Sequence, residues 1–468
     1  MRLPIYAIAL AAALSCQAAG LRHAIESVPR AGLGHVVEKI RQGREITVVY
    51  FGGSITAMDG WRNLTFEWLK GEYPQARFRM VKAALGGTSS YLGVFRCGHD
   101  VTAHDPDLVC IEFSVNDSEI PDERIWADYD GIVRQIWRHD PETDIVCCYS
   151  TAKGASFEEN AAGFLSRSQT ATDRVAEYYG LPSVSFGPRV ASEVEAGRFV
   201  MSLGEVGDVA PLRTSEGVAA TVAGLKARGL TLFAEDGVHP TMDGHALYLT
   251  SFTNLWHAAK LLPPADRADS LARPFYSDAL DAAKLVSIDE SMLVGSWHRL
   301  PAGRDSRDLM WWYGERVDSI WEATTPGDSI RFSFRGSICK IYDLMGPNGG
   351  LARIRVDGKE LPQRAKRFDS YCIHHRLAEF PVFEGEHGIH SVEIELDSET
   401  PDRKEILLRH PNADISDRKF KGTSLLVGGI LLVGDIVAEP PGKAAPSVGV
   451  GKVHTRPLTT AEPESTAD

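Results

Sequence analysis

The stretch VVYFGGSITAMDG, residues 48–60, passes from an apolar, β-branched run into a turn made of two glycines and a serine. A run that is apolar without alternation predicts a strand buried on both faces. Gly52 and Gly53 allow a sharp turn after that strand, and Ser54 follows them. A serine at such a place is commonly a helix cap or a turn former. For a chemical role, Ser54 needs a base elsewhere in the sequence.

Four more apolar runs follow, spaced as in a sheet whose strands alternate with helices. They are FRMV from Phe78, DLVCIEF from Asp107, DIVCCY from Asp144 and PSVSF from Pro182. Apolar residues within 125–137 recur at three- and four-residue steps, which predicts a helix that ends before Pro141. Alternating strands and helices indicate βαβ units, and therefore an α/β fold with a parallel sheet covered by helices on both faces.

The pattern changes after residue 285. SIRFSF from Ser329 and HSVEIEL from His390 alternate apolar with polar residues, which is typical of antiparallel strands with one buried face. With Gly and Pro turns between them, such strands predict an all-β sandwich domain. The predicted organisation is a signal peptide at 1–20, an α/β domain at 21–260, a connector at 261–285, a β-sandwich at 286–440 and a disordered tail at 441–468.

The first twenty residues have the three parts of a secretion signal. Arg2 supplies the positive start, IYAIALAAALSC supplies a short apolar core, and small residues permit cleavage near residues 18–20. We therefore expect a secreted or periplasmic protein with no transmembrane segment in the mature chain. Cys16 is an alternative lipid-anchor site, although Ala13 stands where such sites usually have leucine.

Composition excludes some partners and cofactors. The chain has 468 residues and a formal net charge of -13, which disfavours a nucleic-acid partner because phosphate repels such a surface. Its seven cysteines show no metal-binding spacing, and we predict no metal and no cofactor. Cys339 and Cys372 are candidates for a disulfide in an oxidising compartment, and the sequence leaves that open.

A candidate base for Ser54 lies far along the chain in AEDGVHPTMDGH, residues 234–245. Asp236 and His239 are three residues apart, so a carboxylate and an imidazole can meet locally. The carboxylate would orient the ring and stabilise its charged form, leaving the other nitrogen free to take a proton from Ser54. The alternative is a turn with a helix-capping histidine.

Two further stretches end predicted strands at the same edge of the sheet. In KAALGGTSS, Gly87 can offer a backbone N–H to an oxyanion, and in EFSVND, Asn116 can offer its side-chain amide. Each is weak alone, because Gly-Gly is usually a turn and Asn-Asp is a common loop pair. Together, the four stretches supply a nucleophile, a base, an orienting acid and oxyanion donors.

The four stretches resemble the signature blocks of the SGNH or GDSL-type serine hydrolases, in the same order. FGGSIT resembles the first block, ALGGTSS the second, SVND the third and DGVHP the fourth. The resemblance covers residues 46–248 and implies a flavodoxin-like α/β/α sandwich. It also implies that Ser54, Asp236 and His239 are catalytic and that Ser54, Gly87 and Asn116 donate to the oxyanion.

The sequence departs from that family at three supporting positions. Gly53 stands where many members have aspartate, Ser114 where most have glycine, and Lys82 where many have asparagine. These differences concern substrate recognition more than the reacting groups. An ordinary α/β-hydrolase is disfavoured, because Thr56 takes the place of the last glycine in G-x-S-x-G.

A few other residues are candidates for substrate binding or catalysis. Arg96 can orient an acidic or sugar substrate, with an ion pair inside the fold as the alternative. Trp311 and Trp312 can stack on sugar rings, with a place in the β-domain core as the alternative. His245 is expected to pack structurally rather than to react.

The resemblance implies a secreted serine esterase that removes small acyl groups, acetyl above all, from an oligosaccharide or polysaccharide. The carbohydrate rests on analogy with family members that carry an added β-sandwich. The alternatives are a lipase or thioesterase, an acetyl transferase, and a carbohydrate-binding protein with a vestigial hydrolase domain.

Overall fold

The computed structural model describes residues 20–206, 215–267, 269–300, 309–314, 316–409 and 414–437, apart from the side chains of Trp311, Trp312 and Arg409. The chain divides into two compact units, Met1–Ala282 and Ala283–Asp468. The predicted signal peptide up to residue 19, with Cys16, and the predicted tail at 441–468 lie outside the described residues. The signal peptide and the tail therefore stay predictions.

The first unit is built on a six-stranded sheet with strand order β1-β6-β5-β4-β2-β3. The strands are β1 (Ser27–Val28), β2 (Glu45–Gly52), β3 (Arg77–Lys82), β4 (Leu108–Glu112), β5 (Asp144–Tyr149) and β6 (Ser183–Ser185). Strands β2 to β6 are parallel, which confirms the predicted parallel sheet. β1 pairs antiparallel with β6 and forms an edge that the sequence patterns did not reveal.

Helices connect these strands. They are α1 (Gly34–Arg41), α2 (Ser54–Ala57), α3 (Trp61–Glu72), α4 (Ser90–Asp100), α5 (Asp122–His139), α6 (Ala155–Ala161), α7 (Arg167–Tyr178), α8 (Gly187–Glu195), α9 (Ser215–Ala227) and α10 (Met242–Ala259). A separate short parallel pair is formed by β7 (Phe199–Val200) and β8 (Thr231–Leu232). In α5, acids in the first turn and basic residues in the last turn complement the helix dipole.

Aromatic packing anchors the helix that follows the predicted His239 loop. Tyr248 of α10 is fully buried and stacks on Phe186 with 4.1 Å between ring centroids. Its hydroxyl also accepts a hydrogen bond from the backbone N–H of Thr151, at 3.2 Å. Thr241 caps α10, because its Oγ1 accepts from the N–H of Gly244. The start of α10 is therefore fixed against the sheet.

The second unit is an antiparallel β-sandwich, as predicted. Its strands are β9 (Ala283–Val286), β10 (Leu293–Val294), β11 (Trp297–Arg299), β12 (Trp321–Ala323), β13 (Ser329–Met345), β14 (Leu351–Val356), β15 (Lys359–Glu360), β16 (Ala365–Lys366), β17 (Arg376–Leu396) and β18 (Leu425–Val437). Short helices α11 (Leu309–Tyr313) and α12 (Arg403–Ile406) lie between strands. The long strands β13, β17 and β18 pair with register shifts that let the ladder bend, and their apolar sides share one core.

The predicted connector at 261–285 is more ordered than its weak periodicity suggested. Arg267 donates to the carboxylate of Asp144 at 2.6 Å, and the Asp130 carboxylate accepts the backbone N–H groups of residues 275–277. The boundary between the two units falls within this segment, after Ala282. Hydrogen bonds to buried carboxylates, together with single contacts such as Phe275 on Trp126 and the buried Leu280, hold the segment on the first unit. These contacts do not recur at a fixed spacing, so periodicity gave no sign of them.

The six cysteines in the described part of the chain are buried free thiols. Cys339 and Cys372, which the sequence left as a candidate pair, lie in separate apolar clusters and are not bonded to each other. Burial raises the pKa of the Cys147 and Cys372 thiols to about 12. Across the described ranges, each helix is too short or too polar to span a lipid bilayer.

We predict that Asp130→Ala destabilises the first unit. The carboxylate is fully buried, and besides the three N–H groups it accepts the Tyr179 hydroxyl at 2.6 Å. Removing it leaves buried donors without a partner, which should lower the free energy of unfolding by about 2–4 kcal/mol. Thermal unfolding followed by circular dichroism measures the change, and the exposed Glu195→Ala serves as the control. A melting temperature equal to that of the control would contradict the role given to Asp130.

Candidate active site

Ser54 lies at the point where the strand order of the first sheet reverses. The chain goes from β2 to β3 on one side and then to β4 on the other, so β2 lies between them. In open α/β sheets, ligands bind beyond the carboxyl ends of the strands at such a point. Ser54 is the first residue of α2, directly after Gly53, and its hydroxyl does not cap that helix. The alternative of a simple helix cap is therefore not what the geometry shows.

The structure brings Ser54, His239 and Asp236 together. His239 Nε2 lies 2.8 Å from Ser54 Oγ, and His239 Nδ1 lies 2.6 Å from Asp236 Oδ2. Both are hydrogen-bond distances, and the two ring nitrogens face different partners. With a proton on Nδ1 held by the carboxylate, Nε2 is free to accept the hydroxyl proton of Ser54.

The loop that carries Asp236 fixes its carboxylate. Asp236 Oδ1 accepts the backbone N–H groups of Val238 and His239, each at 2.8 Å. Partial burial acts to raise the pKa of Asp236, but the hydrogen bonds from His239 and Val238 outweigh it and hold that pKa below its usual value. Asp236 therefore remains a carboxylate at mildly acidic pH and can face a charged imidazole.

Asn116 lies against the turn that precedes Ser54. A Cβ atom at Gly53 would lie 2.0 Å from Asn116 Oδ1, which is much shorter than a normal contact between non-bonded atoms. Gly53 thus leaves the room that the Asn116 side chain occupies. Within the described residues, the Asn116 side-chain amide donates no hydrogen bond, so it remains available to a ligand.

The loop containing Gly87 passes beside Ser54. A Cβ at the neighbouring Gly86 would lie 3.8 Å from Ser54 Cβ. Gly87 has φ of 71°, a left-handed conformation that favours glycine, and the hydroxyl of Thr88 closes the loop by donating to the Leu85 carbonyl at 2.8 Å. The predicted oxyanion residue is thus in the neighbourhood of the nucleophile.

Asp117 connects the Asn116 segment to α4. Its Oδ1 accepts the backbone N–H of Ser90 at 2.9 Å, which satisfies one donor at the amino end of that helix. Burial raises the pKa of the Asp117 carboxyl well above its usual value, and the nearby Asp128 adds to this, whereas the Ser90 N–H opposes it. The carboxyl therefore ties the segment after β4 to the loop that carries Gly87 and leads into α4.

Arg96 is not available to a substrate. Its side chain is 0% exposed, forms an ion pair with Asp100 and lies over the ring of Phe51 at 5.5 Å. The substrate-binding role considered for Arg96 is therefore wrong for this structure, and the ion-pair alternative describes it. Its Nη1 also donates to the Ala83 carbonyl at 3.3 Å, inside the fold.

His245 and the tryptophan pair complete the predicted set. His245 is fully buried, and burial lowers its pKa to about 4, with the charge of His239 adding to the shift. It packs as an uncharged ring at 6.0 Å from Tyr248. Trp311 and Trp312 belong to α11, but their side chains lie outside the described residues, so their sugar-stacking role stays a prediction.

A cavity of about 520 Å³ lies next to the segments that carry Asn116 and His239. Its wall includes Val115 and Val238, the sequence neighbours of those two residues. The wall also contains two basic residues, two acidic residues and five serines: Lys153, Arg167, Glu119, Glu159, Ser114, Ser118, Ser156, Ser166 and Ser168. The wall of the cavity therefore carries several hydroxyl groups and both signs of charge.

Sequence reasoning missed two carboxyl groups near the site. Glu112 ends β4 in an apolar run, and Glu159 lies in α6, where no spacing linked it to the other motifs. For Glu112, the only sign in the sequence was a single glutamate inside the apolar run DLVCIEF. For Glu159, no local pattern indicated a place near the site, because that place depends on tertiary contacts.

Comparison with known proteins agrees with this geometry. The profile of the GDSL-like lipase/acylhydrolase family matches residues 50–247. Two crystal structures of a two-domain esterase (CEX) active on acetylated mannans, one co-crystallized with mannopentaose, are similar to this chain with TM-scores of 0.62. They are 22% and 21% identical to it, and each match covers 88% of this chain and 98% of the esterase. A comparison with curated proteins found no match.

The structural match shows a shared two-domain fold. The family match confirms the resemblance predicted from the four motifs, and it spans Ser54, Gly87, Asn116, Asp236 and His239. The first unit of this chain therefore contains a domain of the GDSL-like lipase/acylhydrolase family at residues 50–247.

Proposed function

We propose that this carboxylic ester hydrolase is a serine esterase that removes acetyl groups from a carbohydrate. The observation that carries the proposal is the hydrogen-bonded series Ser54 Oγ, His239 Nε2, His239 Nδ1 and Asp236 Oδ2. A nucleophile, a base and an orienting carboxylate in this order are the parts that acyl transfer requires.

In the first half of the reaction, Ser54 Oγ attacks the ester carbonyl carbon while His239 Nε2 takes the hydroxyl proton. The tetrahedral intermediate then expels the sugar oxygen, which receives that proton from His239. The product is an acetyl ester on Ser54. Water attacks it with the same histidine as base, releasing acetate and restoring the serine.

The negative charge on the tetrahedral intermediate requires hydrogen-bond donors. We assign the backbone N–H groups of Ser54 and Gly87 and the side-chain amide of Asn116 to this role. The position of Ser54 at the start of α2 supports the assignment, because the first N–H groups of a helix have no partner within it. The approach of Asn116 and the Gly86–Gly87 loop to the Ser54 turn supports it further.

The proposed substrate class rests on two observations. The esterase that shares the two-domain fold acts on acetylated mannans, and the cavity beside Asn116 and His239 is lined by hydroxyl and charged groups. The Glu159 carboxylate, half-buried in that wall, accepts no hydrogen bond in the described part of the chain. Sugar hydroxyls are suitable donors to such a group. We propose that this cavity binds the sugar from which acetyl is removed, with the charges balanced for a neutral glycan.

Secretion and a glycan-binding role for the β-sandwich complete the proposal. Secretion rests on the sequence of residues 1–20, and the glycan-binding role rests on the aromatic residues of α11. A lipase would instead prefer long acyl chains, and a vestigial enzyme would show no turnover. Esters of different chain length therefore separate these alternatives from an acetylesterase.

The first prediction is that Ser54→Ala abolishes acetate release. Wild type should deacetylate mannan or xylan oligosaccharides and prefer p-nitrophenyl acetate over p-nitrophenyl palmitate. The variant should fold normally and lose at least about 10³-fold in turnover, because the nucleophile is absent. Ser192→Ala on the exposed side of α8 is the control. A variant that keeps more than about a tenth of the wild-type rate would rule out Ser54 as the nucleophile.

The second prediction concerns Asp236. Since the pKa of Asp236 lies below its usual value, wild type keeps this carboxylate charged, and bonded to His239, down to that lowered pKa. Asp236→Asn removes the carboxylate that orients the ring, so turnover of p-nitrophenyl acetate should fall by up to about 10⁴-fold. A variant with the wild-type kcat would mean that Asp236 does not act on His239.

The third prediction separates the sugar site from the chemistry. Glu159→Ala should raise KM for an acetylated manno-oligosaccharide by about tenfold, the effect of losing one hydrogen bond to a charged group. Its kcat on p-nitrophenyl acetate should not change, because that ester lacks the sugar. The neighbouring Glu158→Ala is a matched control, since Glu158 is exposed and lies outside the cavity wall. Equal effects of both variants on the oligosaccharide would exclude the cavity as its binding site.

A further inference from the structure

Glu112 is a buried carboxyl group in contact with the turn that carries the candidate nucleophile. It is the last residue of β4, and it is 1% exposed in a strand that is otherwise apolar. It pairs in register with Gly52, the last residue of β2. A charged side chain at such a place is rare, because removing a carboxylate from water costs free energy.

Three hydroxyl groups surround this carboxyl. Thr56 Oγ1 donates to Glu112 Oε2 at 3.0 Å, and Ser150 Oγ donates to Oε1 at 2.5 Å. Ser114 Oγ approaches Oε1 at 3.5 Å, and it lies 3.3 Å from both the carbonyl and the hydroxyl of Ser150. Within the described residues, no lysine, arginine or histidine forms an ion pair with Glu112. Its two closest side-chain contacts are thus hydrogen bonds from the neutral hydroxyls of Thr56 and Ser150.

Each hydroxyl belongs to an element that positions the active site. Thr56 lies in α2, two residues after Ser54, and Ser114 lies two residues before Asn116. Ser150 follows β5, the next strand of the sheet. The backbone of Glu112 contributes as well, because its carbonyl accepts the N–H of Gly53 at 3.1 Å. One residue therefore bonds to the nucleophile turn through both its backbone and its side chain.

The network continues away from the site. Ser168 Oγ donates to the Ser114 carbonyl at 2.7 Å, and Gln169 Nε2 donates to the Ser150 carbonyl at 2.7 Å. Both donors lie in the first turn of α7. Glu112 thus sits at the centre of a set of hydrogen bonds that joins α2, the Asn116 segment, the end of β5 and α7.

Stability alone is a poor explanation for this arrangement. Burial raises the pKa of Glu112, although the hydrogen bonds from Ser150, Thr56 and Ser114 oppose the shift. A buried carboxyl without a cation is costly, and an apolar side chain of similar size would avoid that cost. What the carboxyl provides, and an apolar side chain cannot, is a hydrogen-bonded link from Thr56 to Ser150 and, directly and through Ser150, to Ser114.

We propose that Glu112 is a positioning residue for catalysis: it holds the Ser54 turn and the Asn116 segment at the separation that the reaction needs. This inference rests on the proposed esterase function. Glu112 does not touch the substrate in this role. It acts through Thr56 on the nucleophile and through Ser114 on the oxyanion donor, and a displacement of either by about 1 Å can cost about 10²-fold in rate.

The test compares Glu112→Ala, Glu112→Gln and the isosteric Thr56→Val in the full-length protein. With p-nitrophenyl acetate, Glu112→Ala should lower kcat by about 10²-fold and leave KM within about twofold. Glu112→Gln, which keeps one acceptor and the side-chain shape, should recover much of that loss. The rate at which an organophosphonate labels Ser54 should fall in parallel with kcat, since labelling depends on the geometry of the nucleophile.

A double-mutant cycle tests whether Glu112 acts through Thr56. If it does, Thr56→Val should lower kcat in wild type but have little further effect in the Glu112→Ala background. Additive losses would overturn the proposed route. Should Glu112→Ala fail to fold, Thr56→Val and Ser150→Ala still test the network, because each removes one donor and leaves the carboxyl in place.

A matched control separates positioning from stability. Asp144 is a fully buried carboxyl at the start of β5, at the amino ends of the parallel strands rather than at their carboxyl ends, and it binds Arg267. Asp144→Asn should lower the melting temperature without changing kcat or the labelling rate. If Glu112→Ala behaves in the same way, or changes KM instead of kcat, Glu112 is structural or binds substrate, and the inference is wrong. If wild type labels Ser54 but hydrolyses no acetyl ester, the proposed function fails instead.

Discussion

The hydrogen bond from the Gly53 N–H to the Glu112 carbonyl is the last rung between β2 and β4. Beyond it the two strands diverge. β2 leads into α2 with Ser54, and β4 leads into the segment with Asn116. Because the two strands are parallel and in register, both segments leave the sheet at the same level. The position of the site thus follows from where the hydrogen bonds between β2 and β4 end. The loop before α10, which carries Asp236 and His239, completes the site by reaching the same end of the sheet.

Much of this arrangement could be predicted from the sequence because strong local patterns encode it. Continuous apolar runs predicted β2 to β6, and period-two alternation predicted the long strands of the second unit. Parallel strands bring their carboxyl ends to one edge of the sheet, which predicted that Ser54, Gly87 and Asn116 are near each other. That Asp236 and His239 join them was predicted from the order of the four motifs and from the family resemblance. The three-residue spacing of Asp236 and His239 allowed their contact, which the structure shows at 2.6 Å.

The rest depends on tertiary contacts that leave no periodic signal. β1 is two residues long, and its partner β6 lies more than 150 residues away. The segment after α10 is held by buried carboxylates such as Asp130, so its sequence resembled a free connector. Arg96 and Glu112 are both buried charges, yet one is closed off in an ion pair and the other bonds to neutral hydroxyls next to the nucleophile. The sequence could not distinguish Arg96 from Glu112 in this respect, because the difference depends on which residues contact each side chain in the folded protein.

The burial of the six thiols affects how the cysteines react in the folded and in the unfolded protein. A thiol reacts as its thiolate, and burial both hides these sulfurs and, for Cys97, Cys147, Cys148, Cys339 and Cys372, raises the pKa. The fold accordingly shields these sulfurs from oxidants and alkylating reagents. We expect a disulfide or thiol adduct to form on them when the chain unfolds. Oxidised forms of these cysteines therefore indicate that a molecule has been unfolded earlier, and they remain after the molecule refolds.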